Sequence, residues 1–203
     1  MRVTVLGCGG AGGVPLIGSQ WGACDPYEPK NRRRRASILV ETDQARILID
    51  TSPDLREQLL DVDITSVDAV LYTHQHADHV HGIDDVRALN RINRRVIDAF
   101  ATTECLASIG KRFDYAFTPP PVEGGRQVFF KPCLKAHEIE PGRVFRAAAG
   151  LEALPILQDH GFMTSLGFRF GEFAYSTDVV NLDETAFAAL KGIKTWLVGC
   201  LSL

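Results

Sequence analysis

The sequence predicts a mixed α/β fold in which strands predominate. Short runs of β-branched and aliphatic residues, each of strand length, recur from Val3-Thr4-Val5-Leu6 to Thr195–Gly199. Helical periodicity is confined to a few segments between them. No internal repeat or low-complexity linker divides the 203 residues, so a single domain is expected.

Composition fits a packed core. Hydrophobic residues make up 45% and charged residues 23%, as in ordinary globular proteins. A net charge of −3 gives no general attraction to nucleic acid. Met1 leads directly into the first apolar segment, without the charged and apolar regions of an export signal. No apolar run approaches the roughly 20 residues that cross a bilayer. The five cysteines (Cys8, Cys24, Cys105, Cys133 and Cys200) are odd in number and form no C-x-x-C pair. That pattern suits reduced thiols, and a cytoplasmic location with no membrane partner is expected.

Taken in order, Arg2 to Leu6 reads as a strand, followed by a glycine-rich turn from Gly7 to Gly13. Residues 14–35 read as irregular, because Pro15, Pro26 and Pro29 break any helix. Ala36–Glu41 and Ala45–Asp50 read as strands joined by a short polar link. Ser52-Pro53-Asp54 is a helix start, with Leu55, Leu59 and Leu60 as the apolar stripe behind it. Asp68–Tyr72 is a buried strand. Val80–Ile92 has helical periodicity, Val96–Ala101 is strand-like and Thr103–Gly110 forms a short helix. Residues 118–125 read as a loop. Strands are expected at Gln127–Lys131, Arg143–Ala147, Leu151–Leu157, Gly167–Phe170 and Glu172–Ser176, then a helix at Asp183–Leu190 and a last strand from Thr195.

Two motifs invite chemistry. Gly7-Cys8-Gly9-Gly10-Ala11-Gly12 satisfies G-x-G-x-x-G after a strand, but Val14-Pro15 follows where a dinucleotide-binding turn needs a helix. It reads as a tight turn, or as backbone N–H groups brought close to an anion. The second motif is far more specific. His74-Gln75-His76-Ala77-Asp78-His79 packs three imidazoles and a carboxylate into six positions at the end of a buried strand. Each is a good ligand for zinc or a similar borderline metal. His74 and His76 lie two apart in extended chain and share a side, whereas Asp78 and His79 turn elsewhere, which suits two adjacent ions. Further ligands stand at later strand ends: His160, after Leu151–Leu157, and Asp178, after Phe173–Ser176.

Together, H-x-H-x-D-H, a later loop histidine and a later strand-end aspartate resemble the metallo-β-lactamase superfamily over nearly the whole chain. Asp50 in Ile47-Leu48-Ile49-Asp50-Thr51 matches that superfamily's early aspartate. Trp21–Pro26, Asn31-Arg32-Arg33, Asp50–Arg56 and His81-Gly82-Ile83-Asp84-Asp85 with Arg87 narrow the resemblance. They look like the branch related to phosphoribosyl 1,2-cyclic phosphate phosphodiesterase, with a more distant similarity to the ribonuclease Z type.

The resemblance implies a four-layer αβ/βα sandwich of α/β class and two divalent ions, zinc or manganese. By carry-over, His74, His76 and His160 hold the first metal, Asp78 and His79 the second, and Asp178 bridges. Relatives usually place one more histidine beyond a further strand and helix, and an aspartate at the position of Gly199. The expectation is therefore a C-terminally incomplete fold with an incomplete second site. An unpaired strand edge and exposed apolar surface on the Phe168–Tyr175 side are expected to favour a homodimer.

The expected activity is metal-dependent hydrolysis of a small cyclic or nucleotide-like phosphodiester. Two cations would lower the pKa of a water and stabilise charge growing on a phosphoryl oxygen. The alternatives are hydrolysis of a thioester, a lactone or an RNA end on the same scaffold, or a catalytically impaired metal-binding remnant. Asp78, Asp50 and His81 are the expected catalytic side chains, with Asp50 fixing a ligand by hydrogen bonds. Arg32, Arg33 and Arg87 are the expected substrate contacts. The run Arg32–Arg35 also reads as a solvated basic loop, and His137 as a structural or flap residue.

Overall fold

The computed structural model describes residues 1–119 and 133–199. Two β-sheets stack face to face. The first runs in sequence order: β1 (Arg2–Gly7), β2 (Ser37–Glu41), β3 (Arg46–Ile49), β4 (Ala69–Leu71), β5 (Ile97–Ala101) and β6 (Leu134–Glu138). β1 to β3 are antiparallel, and β3 to β6 are parallel. The second sheet contains β7 (Phe145–Ala148), β8 (Leu151–Asp159), β9 (Thr164–Phe170), β10 (Phe173–Ser176) and β11 (Thr195–Val198), in the spatial order β11-β10-β9-β8-β7. β7 to β10 pair antiparallel, and β11 joins β10 in parallel.

The period of two along the strands sorts side chains between two cores. In β2 and β3, Ile38, Val40, Ile47 and Ile49 face the second sheet and meet Phe168, Phe170, Phe173 and Tyr175. Leu39 and Leu48 face the other way, toward helices α1 (Leu55–Asp61), α3 (Val86–Asn93) and α4 (Thr103–Arg112). Strands buried on both faces explain why these segments are almost continuously apolar. The outer face of the second sheet is covered by α6 (Glu184–Leu190), whose Ala186 and Leu190 pack on Ile156 and Ala174. The layers are α, β, β, α, as the fold class expected. Among the described residues no helix is long and apolar enough to cross a membrane.

The structure departs from the sequence reading in four places. In α1 Leu55 and Leu59 are buried, but Leu60 is 59% exposed. One residue on from Leu59, it is turned away from the core. The third inward position belongs to Gln58, whose amide donates to the Arg35 carbonyl and accepts from Ser52 Oγ. The helix expected over Val80–Ile92 is broken into α2 (Ala77–Val80), a 3₁₀ turn (Ile83–Asp85) and α3. The ladder breaks at Gly82, whose N–H donates to the Thr51 carbonyl (2.9 Å), an approach so close that a Cβ there would overlap the Ser52 carbonyl oxygen. α5 (Asp114–Phe117) and β6 were not anticipated. β6 reads Leu-Lys-Ala-His-Glu and buries only Leu134, so it lacks an alternating signal. Finally, the Phe168–Tyr175 side is not an exposed edge. β9 and β10 are interior strands because β11 pairs along the whole of β10, and Phe168, Phe170, Phe173 and Tyr175 are buried because they face the first sheet. Among the described residues the open edge on this side is β11, whose four residues are exposed or half-buried. The strand expected at Gln127–Lys131, residues 120–125 of the expected loop and Cys200 lie outside the described residues.

Burial predicts thiol reactivity. Cys105 and Cys133 sit in the helix-side core, where loss of solvent pushes their thiols up to about 12 and about 11, whereas Cys8 is exposed. A brief iodoacetamide pulse at mildly alkaline pH, read by peptide mapping, should label Cys8 and spare Cys105 and Cys133 until the protein is denatured. Equal labelling of all three would contradict this packing.

Candidate metal centre

The site forms where the ends of both sheets meet. β3 and β4 are parallel neighbours, so their carboxyl ends deliver Asp50 and Thr73 side by side. The Asp50 N–H donates to the Leu71 carbonyl (2.9 Å), and Tyr72 N–H donates to Phe100 (2.9 Å), which keeps the chain in register past the end of β4. After His76 the chain turns into α2 and presents Asp78 and His79. Thr51 N–H donates to the His79 carbonyl (2.8 Å) and Gly82 N–H to the Thr51 carbonyl (2.9 Å), stitching this turn onto the end of β3. From the second sheet, the tip of the β8–β9 hairpin supplies His160 and the end of β10 supplies Asp178. Leu166 N–H reaches the Thr73 carbonyl (2.9 Å) and ties the two sheets together at this corner.

The side chains form two cradles with one shared member. His74, His76, His160 and Asp178 make one group, and Asp78, His79 and Asp178 the other, with the ligand atoms of each group all within 4.8 Å of one another. Oδ2 of Asp178 is the common point. It lies 3.6 Å from His74 Nε2, 3.4 Å from His79 Nε2 and 3.5 Å from His160 Nε2. His76 offers Nδ1, 3.0 Å from His74 Nε2 and 3.3 Å from His160 Nε2.

Asp50 orients two of the histidines, His79 directly and His74 through Thr73. It is fully buried and its carboxylate accepts from Thr73 N–H (2.8 Å), from the Thr73 hydroxyl (2.8 Å) and from His79 Nδ1 (2.7 Å). The Thr73 hydroxyl has spent its proton on Asp50, so at 3.0 Å from His74 Nδ1 it accepts. His74 is thereby assigned the Nδ1–H tautomer, with its Nε2 lone pair turned into the site, and the bond from His79 Nδ1 to Asp50 leaves Nε2 as the His79 nitrogen that faces the cradle. The shared aspartate is braced too. Its Oδ1 accepts from the Thr177 hydroxyl (3.1 Å) and its carbonyl from Ser165 Oγ (3.1 Å). The buried Gln158 amide donates to Ser165 Oγ (3.0 Å) and the Thr177 carbonyl (3.1 Å). Asp50 and Asp178 both have left-handed backbones, with φ of 62° and 49°. Such strain concentrates where a side chain must be aimed.

Charge is balanced to suit a cation. Burial, reinforced by the neighbouring His79, drives the His74 imidazole down to about 3, and burial with His160 lowers His76. Both are therefore neutral, ligand-ready bases near neutral pH. Burial works to raise the Asp78 and Asp178 carboxyls, but contact with His79 wins and holds both below the usual carboxylate range. Burial raises the Asp50 carboxyl, only partly offset by His79 and Thr73. His79 shows the reverse balance. Burial works against its charge, yet Asp50, Asp178 and Asp78 together raise it well above its ordinary value.

These residues fit a divalent cation. His79 Nε2 is buried with no hydrogen-bond partner, although Asp78 Oδ2 and Asp178 Oδ2 stand 3.3 and 3.4 Å away. Unpartnered buried nitrogens are rare and costly, and a cation between these atoms would satisfy all three. The close approach of ring nitrogens from His74, His76 and His160 has the same cause, since facing lone pairs repel unless something positive lies between them.

The sequence-derived residues are placed as follows. All six expected ligands (His74, His76, Asp78, His79, His160 and Asp178) enter the cradles. Asp50 lies behind His79 and is shielded from solvent, so it positions a ligand and does not face substrate. His81 is exposed, edge-on to Phe113 with centroids 5.7 Å apart, and belongs to neither cradle. Arg32 sits over the Trp21 ring (5.1 Å), Arg33 Nη1 reaches Cys8 Sγ (3.5 Å) and Arg87 pairs with Asp84 (3.0 Å). None of the three lines the cleft of about 560 Å³ that opens beside Asp78. The arginine that does is Arg35, with Ala11, Gly12, Leu16 and Gln20. Thr73, Gln158 and Ser165 were missed. The only sequence cue was a hydroxyl abutting the first histidine.

A family model described as the β-lactamase superfamily domain matches residues 45–202. A protein of Porphyromonas gingivalis (strain ATCC BAA-308 / W83) named octanoyltransferase is 37% identical over 202 residues, which is 99% of this chain and 39% of that protein. The chain thus spans about two-fifths of that relative's length. Among solved structures, a diphosphatase from the PhnP family superposes with a TM-score of 0.83 at 33% identity, covering 96% of this chain and 71% of that one. Zinc-bound PqqB from Methylobacterium extorquens shares the fold at a TM-score of 0.72 and 21% identity, over 98% and 72% of the two chains.

The raised affinity of His79 for a proton predicts how metal uptake depends on pH. In the metal-free protein that proton occupies the nitrogen a cation needs, so binding must release it and affinity must rise with pH until His79 is neutral. Calorimetry in two buffers of different ionisation enthalpy should give buffer-dependent heats, with affinity increasing as the pH rises. Buffer-independent heats and a flat affinity would contradict the assignment.

Proposed function

The chain belongs to the β-lactamase superfamily, and we propose that within it the protein is a dinuclear metallohydrolase cleaving phosphodiester or diphosphate bonds. The observation that carries the reading is the single carboxylate oxygen, Asp178 Oδ2, within 3.6 Å of three imidazole nitrogens drawn from both sheets. His74, His76, His160 and Asp178 would hold one ion, and Asp78, His79 and Asp178 the other. Zinc and manganese both suit such nitrogen and oxygen donors. When bound, divalent ions supply Lewis acidity toward a phosphoryl oxygen and lower the pKa of water.

The chain's own groups do the rest. Asp50 holds the Nδ1 proton of His79 and Thr73 that of His74, so Nε2 of each ring is the nitrogen aimed at an ion. Asp78 belongs both to a cradle and to the lining of the open cleft, so a substrate held in that cleft would lie next to the ions. Arg35, paired with Asp54 (3.1 Å), lines that cleft, and its positive charge favours an anionic substrate. The likeness to a PhnP-family diphosphatase at 33% identity supports a phosphoryl substrate over a thioester or lactone.

The test is hydrolysis of bis(p-nitrophenyl) phosphate and of a diphosphate ester by protein loaded with zinc or manganese, beside an acyl thioester and a lactone. Turnover of the phosphoryl substrates is expected. Asp178→Ala should lower it on the order of 100-fold or more, since loss of a mere outer partner of a metal ligand costs about 10–100-fold. The same titration should resolve a tighter site with four protein ligands from a weaker one with three. Turnover of the thioester or lactone alone would overturn the phosphoryl assignment, and a single ion at saturation would overturn the dinuclear one.

A further inference from the structure

We propose that the lip of the β8–β9 hairpin is a recognition site for a planar heteroaromatic group of nucleobase type on the substrate, with Phe162 as its stacking face. This inference rests on the phosphoryl-hydrolase reading of the neighbouring cradles. Phe162 is 88% exposed, yet its ring is held beside the site, 5.9 Å from the His76 ring and 6.3 Å from that of His160. The turn that carries it is closed on itself. His160 N–H donates to the Met163 carbonyl (2.9 Å), Gly161 N–H donates to Asp159 Oδ1 (2.8 Å), and Gly161 has φ +82°. One tight turn thus aims His160 inward and lifts Phe162 into solvent two residues later.

Phe162 is not an isolated surface apolar residue. Leu157 (47% exposed) lines the same cleft, and Asn181 is held at it by the pairing of its N–H with the Asp159 carbonyl (3.3 Å). Beside it lies a cleft of about 350 Å³ whose lining includes Leu157, Phe162 and Met163, the polar Thr164 and Asn181, and the carboxylates of Asp159 and Asp183, which accept from Gly161 N–H and Ala186 N–H. That volume is within the range of small-molecule sites, about 300–1,000 Å³. Apolar residues bordered by hydroxyl, amide and carboxylate groups match a flat ring whose edge carries hydrogen-bond donors, as a nucleobase edge does. An alkyl chain would leave those polar groups unused, and a bare phosphate would find no cation among the lining residues.

Two measurements test the site separately from the chemistry. Thymidine 5′-(p-nitrophenyl phosphate) and methyl p-nitrophenyl phosphate release the same leaving group, but only the first carries a base. Phe162→Ala should raise KM for the thymidine ester by about tenfold, as expected for loss of one base-stacking contact, and change the methyl ester less than about twofold. Phe162→Trp should restore the preference. In parallel, AMP should bind the metal-loaded wild type more tightly than ribose 5-phosphate, and Phe162→Ala should abolish that difference. Equal shifts for both esters, or no shift in either comparison, would overturn the base site. An AMP preference that depends on Phe162, in a protein hydrolysing neither ester, would support the base site and overturn the hydrolase reading.

Discussion

Everything at the metal centre depends on one buried carboxylate. Asp50 sits at the junction of two parallel strands with no exposure to solvent. A charge in that position is tolerated only if it is paired and hydrogen-bonded. The fold supplies three donors, two from Thr73 and one from His79, and each also organises the site. The Thr73 hydroxyl passes the constraint on to His74, and the direct bond fixes His79. A single side chain thereby sets the tautomer and direction of a ligand in each cradle. The left-handed backbone at Asp50 turns the carboxylate across the strand end toward Thr73 and His79.

The second constraint is the clamp between the sheets. The ligands come from the 74–79 turn on one side and from the β8–β9 and β10 ends on the other. The aromatic inter-sheet core therefore controls how far apart they stand. Asp178 is held through a buried relay of Gln158, Ser165 and Thr177, so its Oδ2 can face three imidazoles without being pulled away by solvent. Electrostatically the centre is poised for a cation. Burial keeps the His74 and His76 imidazoles neutral, His79 keeps the Asp78 and Asp178 carboxyls ionised, and the three carboxylates around His79 raise its affinity for a proton.

Much of this was legible in the sequence, for identifiable reasons. Ligand density in residues 74–79 is a local signal, and His160 and Asp178 could be read because each follows a strand with clear apolar patterning. Strands buried on both faces announced themselves as continuous aliphatic runs. What could not be read depends on contacts between distant segments. Thr73 looks like any strand threonine until Asp50 is placed beside it. Gln58 and Gln158 are buried polar residues whose partners lie 23 and 19 positions away. The arginine that lines the cleft is the last of a run of four, and only the fold distinguishes Arg35 from Arg32 and Arg33. The break at Gly82 is likewise a matter of its bond to Thr51 and close approach to Ser52, not of helix propensity.

The most direct test of the account is metal binding by Asp50→Asn, a substitution that keeps the shape and removes the charge. The Asn amide would donate to His79 Nδ1 and push that ring's proton onto Nε2, the nitrogen aimed at the cradle. The account predicts that the variant folds with wild-type circular dichroism but binds zinc about 10–100-fold more weakly, with the loss greatest at the cradle of Asp78, His79 and Asp178. Wild-type affinity and stoichiometry in a folded Asp50→Asn protein would show that the buried carboxylate does not organise the site.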